Sequence, residues 1–358
     1  MPFIDLTTQY NTYKNEIDLA ISEVLQDATF IGGKKLENFE TNLAKYVGIK
    51  YAIGCSSGTS ALYLALKTLD IKENDEVILP SFTFIATAEM VALMGAKPIF
   101  VDIDFKDYNL CLEQVKKAIT RKTKAVIAVS IFGLMPDMLA LKEICKDHHI
   151  ALIEDGAQSF GAKEKQRKSC SIADISCTSF FPSKPLGAYG DGGAIFTNDD
   201  ELAQKIRIYL NHGQTQRYKH KYIGINARLD TIQAAILNVK LKYLDDEILK
   251  REKIAQIYDE NLKNCIIPPK KLGFSSVWAQ YSIRVKNREK LMQNLQDQGI
   301  PTAVHYPLGL HLQEAFKYLN YQKGSLPNTE LLSDEILSLP MSAFLKEEHQ
   351  ARVIEALR

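Results

Sequence analysis

Residues 51–104, YAIGCSSGTSALYLALKTLDIKENDEVILPSFTFIATAEMVALMGAKPIFVDID, decide the fold class of this 358-residue chain. The apolar runs YAIGC, EVILP and PIFVDI are bounded by polar turns and too short for helices, so they read as buried strands. Between them, SALYLALKTL and ATAEMVALMG read as crossover helices. The alternation continues through KAVIAVSI (124–131) and IALIED (150–155), and then through the shorter DISCTSFF (174–181) and GGAIFTN (192–198). Strands alternating with helices predict an α/β fold: a large, mainly parallel sheet with helices on both faces.

Upstream, Ile17, Ala20, Ile21, Val24, Leu25 and Ala28 recur at helical spacing and predict an opening helix with one apolar face. Downstream, a helix is expected from Asp230, with Ile232, Ala235, Ile236, Val239 and Tyr243 on one side. A second helix is expected near 246–263. IIPPKKLGFSS (266–276) reads as a passage. VWAQYSIRV (277–285) alternates with period two, as a half-buried strand does, and NREKLMQNLQDQG reads as a helix ended by glycine. The expected division is a large α/β domain over residues 1–240 and a smaller C-terminal α+β domain over 241–358.

Hydrophobic residues make up 46% and charged residues 24% of the chain, and the net charge is +1. That balance points to neither nucleic acid nor membrane as a partner. The opening MPFIDLTTQYNTYKNEID lacks the pattern of a signal peptide, and no apolar run reaches the roughly 20 residues of a membrane span. Six cysteines without CxxC or other metal-ligand spacing suggest reduced thiols, a cytoplasmic setting and no metal.

Three segments carry chemistry. In CSSGTSAL (55–62) a strand runs into a helix, and the N–H groups of Gly58 and Thr59 would cradle a phosphate at the helix start. In IEDGAQ (153–158), Asp155 ends a buried strand, where open α/β sheets place their ligands. In SFFPSKPLG (179–187), Lys184 stands among aromatic and small residues, where burial lowers the amine pKa and favours attack on an aldehyde. Singly, each has a plainer reading: a helix cap, a turn-capping aspartate, a surface lysine. Together they fit pyridoxal phosphate, whose ring nitrogen needs an acid and whose aldehyde needs a lysine. Gln158 would then reach the ring oxygen and Ser179 the phosphate.

With these motifs in place, the chain resembles the DegT/DnrJ/StrS sugar aminotransferases, fold-type I pyridoxal-phosphate enzymes. The resemblance covers nearly its whole length. It runs through FIDLTTQY, FIGGKKLENFE, SSGTSALYLAL, IEDGAQSFGA, SFFPSKPLGAYGDGGAIFTND, NHGQ and GINARLDTIQAAIL. It implies that Lys184 carries the cofactor, Asp155 pairs with the pyridinium and Gln158 touches the ring oxygen. Gly58, Thr59 and Ser179 match phosphate-binding positions, and Phe84 in PSFTF matches the aromatic that stacks on the ring. Asn226 matches a residue reaching the phosphate from the partner subunit, which implies a homodimer with shared active sites.

Two positions depart from many family members: Ser60 stands where they have aspartate, and Pro185 where they have asparagine. Ser60 keeps a short polar cap. Pro185 in SFFPSKPLG, with PTAVHYP (301–307), is similar to a subgroup acting on 3-oxo sugars. The implied reaction moves an amino group from L-glutamate to a keto UDP-sugar, a 2-acetamido-3-oxo hexose or hexuronate, in amino-sugar biosynthesis for cell-surface polysaccharide or lipopolysaccharide. His305, Tyr306 and Arg217 are the candidate substrate contacts, with His212, Lys219 and His220 nearby in the sequence motifs. The alternatives are a 4-keto-sugar aminotransferase, a dehydratase and a non-catalytic sensor. Dehydratases of the family have histidine in place of Lys184, and a sensor would not need Lys184, Asp155 and Gln158 together.

Overall fold

Seven strands build the main sheet of the computed structural model, which describes residues 1–358. They are β1 (Tyr51–Cys55), β2 (Glu76–Pro80), β3 (Lys97–Val101), β4 (Thr123–Val129), β5 (Ala151–Asp155), β6 (Ile175–Ser179) and β7 (Gly193–Thr197). Their order across the sheet is β1-β7-β6-β5-β4-β2-β3. β7 pairs antiparallel with β1 and β6, and every other pair is parallel. From Ala125 to Val129 and from Leu152 to Asp155 every residue is buried. Layers of helix on both faces explain why these strands read as unbroken apolar runs.

Four helices precede or cross between the first strands: α1 (Leu6–Asp27), α2 (Gly33–Val47), α3 (Gly58–Thr68) and α4 (Ala86–Leu93). The start of α1 is fixed by Asp5, whose carboxylate accepts the Thr8 N–H at 2.9 Å. Ile17 and Val24 are buried as expected, but Leu25 and Ala28 are exposed. Leu25 follows Val24 by one position, about 100° around the helix, and so leaves the narrow face that packs on the helix Thr231–Leu241.

A second core forms around β8 (Tyr281–Arg284), paired antiparallel with β9 (Ile336–Leu339). Helices Leu244–Asn261, Arg288–Asp297 and Glu347–Ala356 bring Tyr258, Leu295 and Val353 to it. The strand here is shorter than the expected 277–285. Val277, Trp278 and Ala279 are all buried, Trp278 has φ +49°, and the Val277 N–H bonds to the Gly133 carbonyl at 3.1 Å. Val277 packs into a core of the main sheet and Trp278 into the second core, so residues 277–279 are buried in succession without pairing as a strand. Leu310, Phe316 and Leu326 likewise pack into the core of the main sheet. All six cysteines are free, and no helix is long and apolar enough to cross a membrane.

Candidate active site

The carboxyl ends of β1, β2, β4, β5 and β6 converge on one cavity of 390 Å³. Its wall includes Gly58 and Thr59 after β1, Phe84 after β2, Asp155 and Gln158 at β5, and Ser179 and Lys184 at β6. His305 and Tyr306 close it from the side of the second core. Nine of the expected site residues are thus brought together. Parallel strands deliver ligand-binding groups at this edge because their following turns all emerge there.

The turn into α3 is built around Ser57, whose hydroxyl accepts the Ser60 N–H at 3.0 Å. Ser60 also exchanges hydrogen bonds with the hydroxyls of Ser56 and Ser57, so it braces the cap. The N–H groups of Gly58 and Thr59 bond to no protein acceptor. A side chain at 58 would bring its Cβ within 2.7 Å of Ser179 Cβ, so glycine is what lets α3 start against β6. This corner suits a phosphate: two free N–H groups, a helix dipole and the Ser179 hydroxyl face one space.

Asp155 is buried and held on both oxygens. Thr87, on the first turn of α4, donates to Oδ2 at 2.9 Å, and the Ala157 N–H donates to Oδ1 at 3.2 Å. Burial raises its pKa, against the pull of these donors and of the Lys184 charge. Burial lowers the pKa of Lys184, and the Asp155 charge opposes that shift. A cation placed against Asp155 would stabilise its carboxylate, while Lys184 is disposed toward the neutral amine that attacks an aldehyde.

Gln158 accepts the Phe132 N–H on Oε1 at 2.8 Å, and its Nε2 donates to Tyr306 Oη at 3.2 Å. The amide is therefore locked, with one N–H left to donate into the cavity. Burial, and then the Lys184 charge, lower the His305 pKa, and its Nδ1 lies 3.0 Å from Ser338 Oγ. Phe84 is half exposed at the cavity mouth, 6.1 Å from the Tyr306 ring. Phe180 is fully buried among Phe39, Phe160 and Phe196, whereas Phe181 lines the cavity.

Two expected residues lie elsewhere. Asn226 is exposed beyond the cavity and bridges to Asn211. Arg217 sits at the tip of the exposed hairpin formed by Gln214–Gln216 and Lys219–His220, with its guanidinium 5.2 Å from the Tyr218 ring. His212 is also exposed and outside the cavity. Thr87 and Gln280 were not anticipated. Thr87 looks in sequence like an ordinary helical residue, and only the fold sets it beside Asp155. Gln280 lines the cavity at the end of the buried 277–279 stretch.

Comparison with known proteins places this geometry. The family model of the DegT/DnrJ/EryC1/StrS aminotransferases matches residues 11–358. The chain is 48% identical to a Pseudomonas aeruginosa protein named UDP-2-acetamido-2-deoxy-3-oxo-D-glucuronate aminotransferase, over 96% of this chain and 95% of that one. It is 44% identical to a Geobacillus stearothermophilus protein named pleiotropic regulatory protein, over 100% and 97% of the two chains. Among solved structures it is similar to NtdA from Bacillus subtilis with bound cofactor PMP. There the TM-score is 0.92 and the identity 32%, covering 100% of this chain and 84% of that one.

Proposed function

This chain belongs to the DegT/DnrJ/EryC1/StrS aminotransferase family, and from that premise we propose that it uses pyridoxal phosphate to aminate a 3-oxo UDP-2-acetamido sugar, with L-glutamate as donor. The observation that carries the reading is the convergence of Lys184, Asp155 and the Gly58–Thr59 turn on one cavity. Their donor set fits the cofactor: free N–H groups for its phosphate, a buried carboxylate for its ring nitrogen, and an amine for its aldehyde. Phe84 would cover the ring and Gln158 would donate to its oxygen. When bound, pyridoxal phosphate supplies a conjugated ring that spreads the negative charge left when a C–H proton is removed.

The protein's own residues do the rest. Asp155, oriented by Thr87 and Ala157, would keep the ring nitrogen protonated. Lys184 is the only lysine lining the cavity, so it would be the base that takes the proton from the donor's α-carbon and delivers it, on the same face, to the cofactor's C4′ carbon. His305 and Tyr306 form the wall that faces Lys184 and would contact the sugar. Arg217 and Asn226 lie outside their own cavity, and we assign them to the site of a second copy. The exposed Ile223, Tyr218, Phe30 and Ile31 give that copy apolar surface to cover. The six free thiols suit a cytoplasmic enzyme.

The 3-oxo assignment is supported by the 48% relative and by SFFPSKPLG and PTAVHYP. Its test runs the reaction backwards: 3-amino and 4-amino UDP-sugars, each as hexose and as uronate, are supplied with 2-oxoglutarate and glutamate is measured. Turnover of a 3-amino sugar is expected. Turnover of the 4-amino sugars with silence from both 3-amino sugars would move the ketone to C4 and leave the aminotransferase reading in place.

A further inference from the structure

Lys240 is a buried cation that the reaction above does not use. It stands near the end of the helix Thr231–Leu241, only 3% exposed, and is absent from the cavity wall. Its Nζ donates to the carbonyl of Gly187 and lies 5.0 Å from the centre of the Tyr189 ring. No carboxylate forms an ion pair with it. Burial pushes its pKa down to about 8, with Glu247 raising it and Arg251 lowering it further. A buried lysine that serves a carbonyl in place of a carboxylate is an expensive arrangement.

The carbonyl it serves belongs to the loop that carries Lys184. That loop is closed by the Ala188 N–H on the Phe180 carbonyl at 2.7 Å and by the Lys184 N–H on the Phe181 carbonyl at 2.8 Å. It is folded so tightly that a Cβ at Gly187 would lie 2.2 Å from the Pro182 carbonyl oxygen. No backbone N–H reaches the Gly187 carbonyl, so Lys240 is its sole protein donor. Glu247 and Arg251 face the same region from the helix Leu244–Asn261. Gln9 of α1 donates to both Glu247 oxygens at 2.9 Å.

We propose that Lys240 is a positioning residue for Lys184: it pins the far side of the Lys184 loop so that the backbone stays fixed while the side chain attaches to and leaves the cofactor. The inference rests on Lys184 being the cofactor lysine. The agent is the hydrogen bond to Gly187, so another donor of similar length should serve.

The test compares Lys240→Met, which cannot donate, with Lys240→Gln, which can. Amide exchange of the 180–188 segment is measured in cofactor-free protein. The rate at which Lys184 captures added pyridoxal phosphate is followed by its visible band, and kcat and KM are measured on the loaded enzyme. For Lys240→Met the expected results are faster exchange confined to this segment, and capture and kcat each slowed by about tenfold to a hundredfold with KM little changed. Lys240→Gln should recover most of both. A folded Met variant matching wild type in exchange and capture would overturn the proposal, as would a Gln variant as impaired as Met. If the Met variant does not fold, the Gln variant decides: near-wild-type capture supports the hydrogen bond, and a tenfold loss refutes it. Wild-type protein that never labels at Lys184 would instead overturn the functional reading itself.

Discussion

Thr87 Oγ1 and Asp155 Oδ2 are 2.9 Å apart, joining the first turn of α4 to the end of β5 inside the protein. Neither residue is near the other in sequence, yet the hydroxyl fixes how the carboxylate meets the cavity. Thr87→Val keeps the shape and removes the donor. A hydrogen bond to a charged group contributes about 1.5–3 kcal/mol. Cofactor affinity, titrated by absorbance, should therefore fall by roughly tenfold or more. An unchanged Kd would mean that the Ala157 N–H suffices to orient Asp155.

Lys184→Ala should reduce turnover by at least about a thousandfold, since base and cofactor attachment are lost together. Borohydride reduction of wild-type holoenzyme followed by peptide mass analysis should place the cofactor on Lys184. Lys168, whose Nζ lies 3.2 Å from the centre of the Tyr46 ring, is one competing amine whose pKa burial also lowers. Label on Lys168 or Lys163 would remove Lys184 from its role.

Gly58→Ala tests the phosphate corner. The added methyl meets Ser179 Cβ at 2.7 Å, and both atoms sit on regular backbone that has little room to give. Overpacking of this kind costs about 1–3 kcal/mol. If the corner holds phosphate, affinity for pyridoxal phosphate should drop by roughly tenfold or more while affinity for pyridoxal changes little. Equal losses for both ligands would show that the substitution disturbs the whole cavity.

The parts of this site that were legible in the sequence are those that the chain delivers locally. Asp155 ends β5, and Gly58 and Lys184 come three and five residues after the ends of β1 and β6, so strand-end motifs located them. Thr87 was invisible because its partner comes from another strand. Gln280 was invisible because alternation in VWAQYSIRV imitates a half-buried strand, while the fold buries 277–279 in succession. Arg217 was expected at the substrate. It is exposed and outside the cavity of its own chain, and nothing in a polar loop's composition tells which copy's cavity it would serve.

Glu154 gives a prediction about pH. Buried beside Asp155, it accepts from Ser169 Oγ at 2.6 Å and from the Cys170 N–H at 2.9 Å, yet burial dominates and its pKa is pushed up to about 7 from an ordinary 4.5. Between those values the folded protein keeps a proton that the unfolded chain has released. Stability from this group is therefore present at low pH and is lost as pH rises to about 7, by roughly 3 kcal/mol at most. Glu154→Gln does not titrate. Its Tm should gain on wild type from pH 5 to about pH 7 and level off above that, and a constant difference from pH 5 to pH 8 would show that Glu154 is ionised throughout.

Asn226 tests whether two chains share a site. It is exposed and outside its own cavity, so a role at the phosphate requires it to enter the cavity of a second copy. Asn226→Asp replaces a donor with a negative charge and should repel the phosphate, leaving that chain poorly active by itself. Lys184→Ala chains are inactive for a different reason. In a mixed dimer, the cavity built on the Asn226→Asp chain keeps its own Lys184 and receives the native Asn226 of the other chain. The second cavity lacks both. Random exchange of equal amounts makes about half of the dimers mixed, each with one intact site of two, so about a quarter of wild-type activity should appear on mixing. The mixed species is verified by separating differently tagged chains. Should verified heterodimers show no more activity than the parent variants, Asn226 acts within its own chain or only supports the fold, and the shared-site arrangement fails.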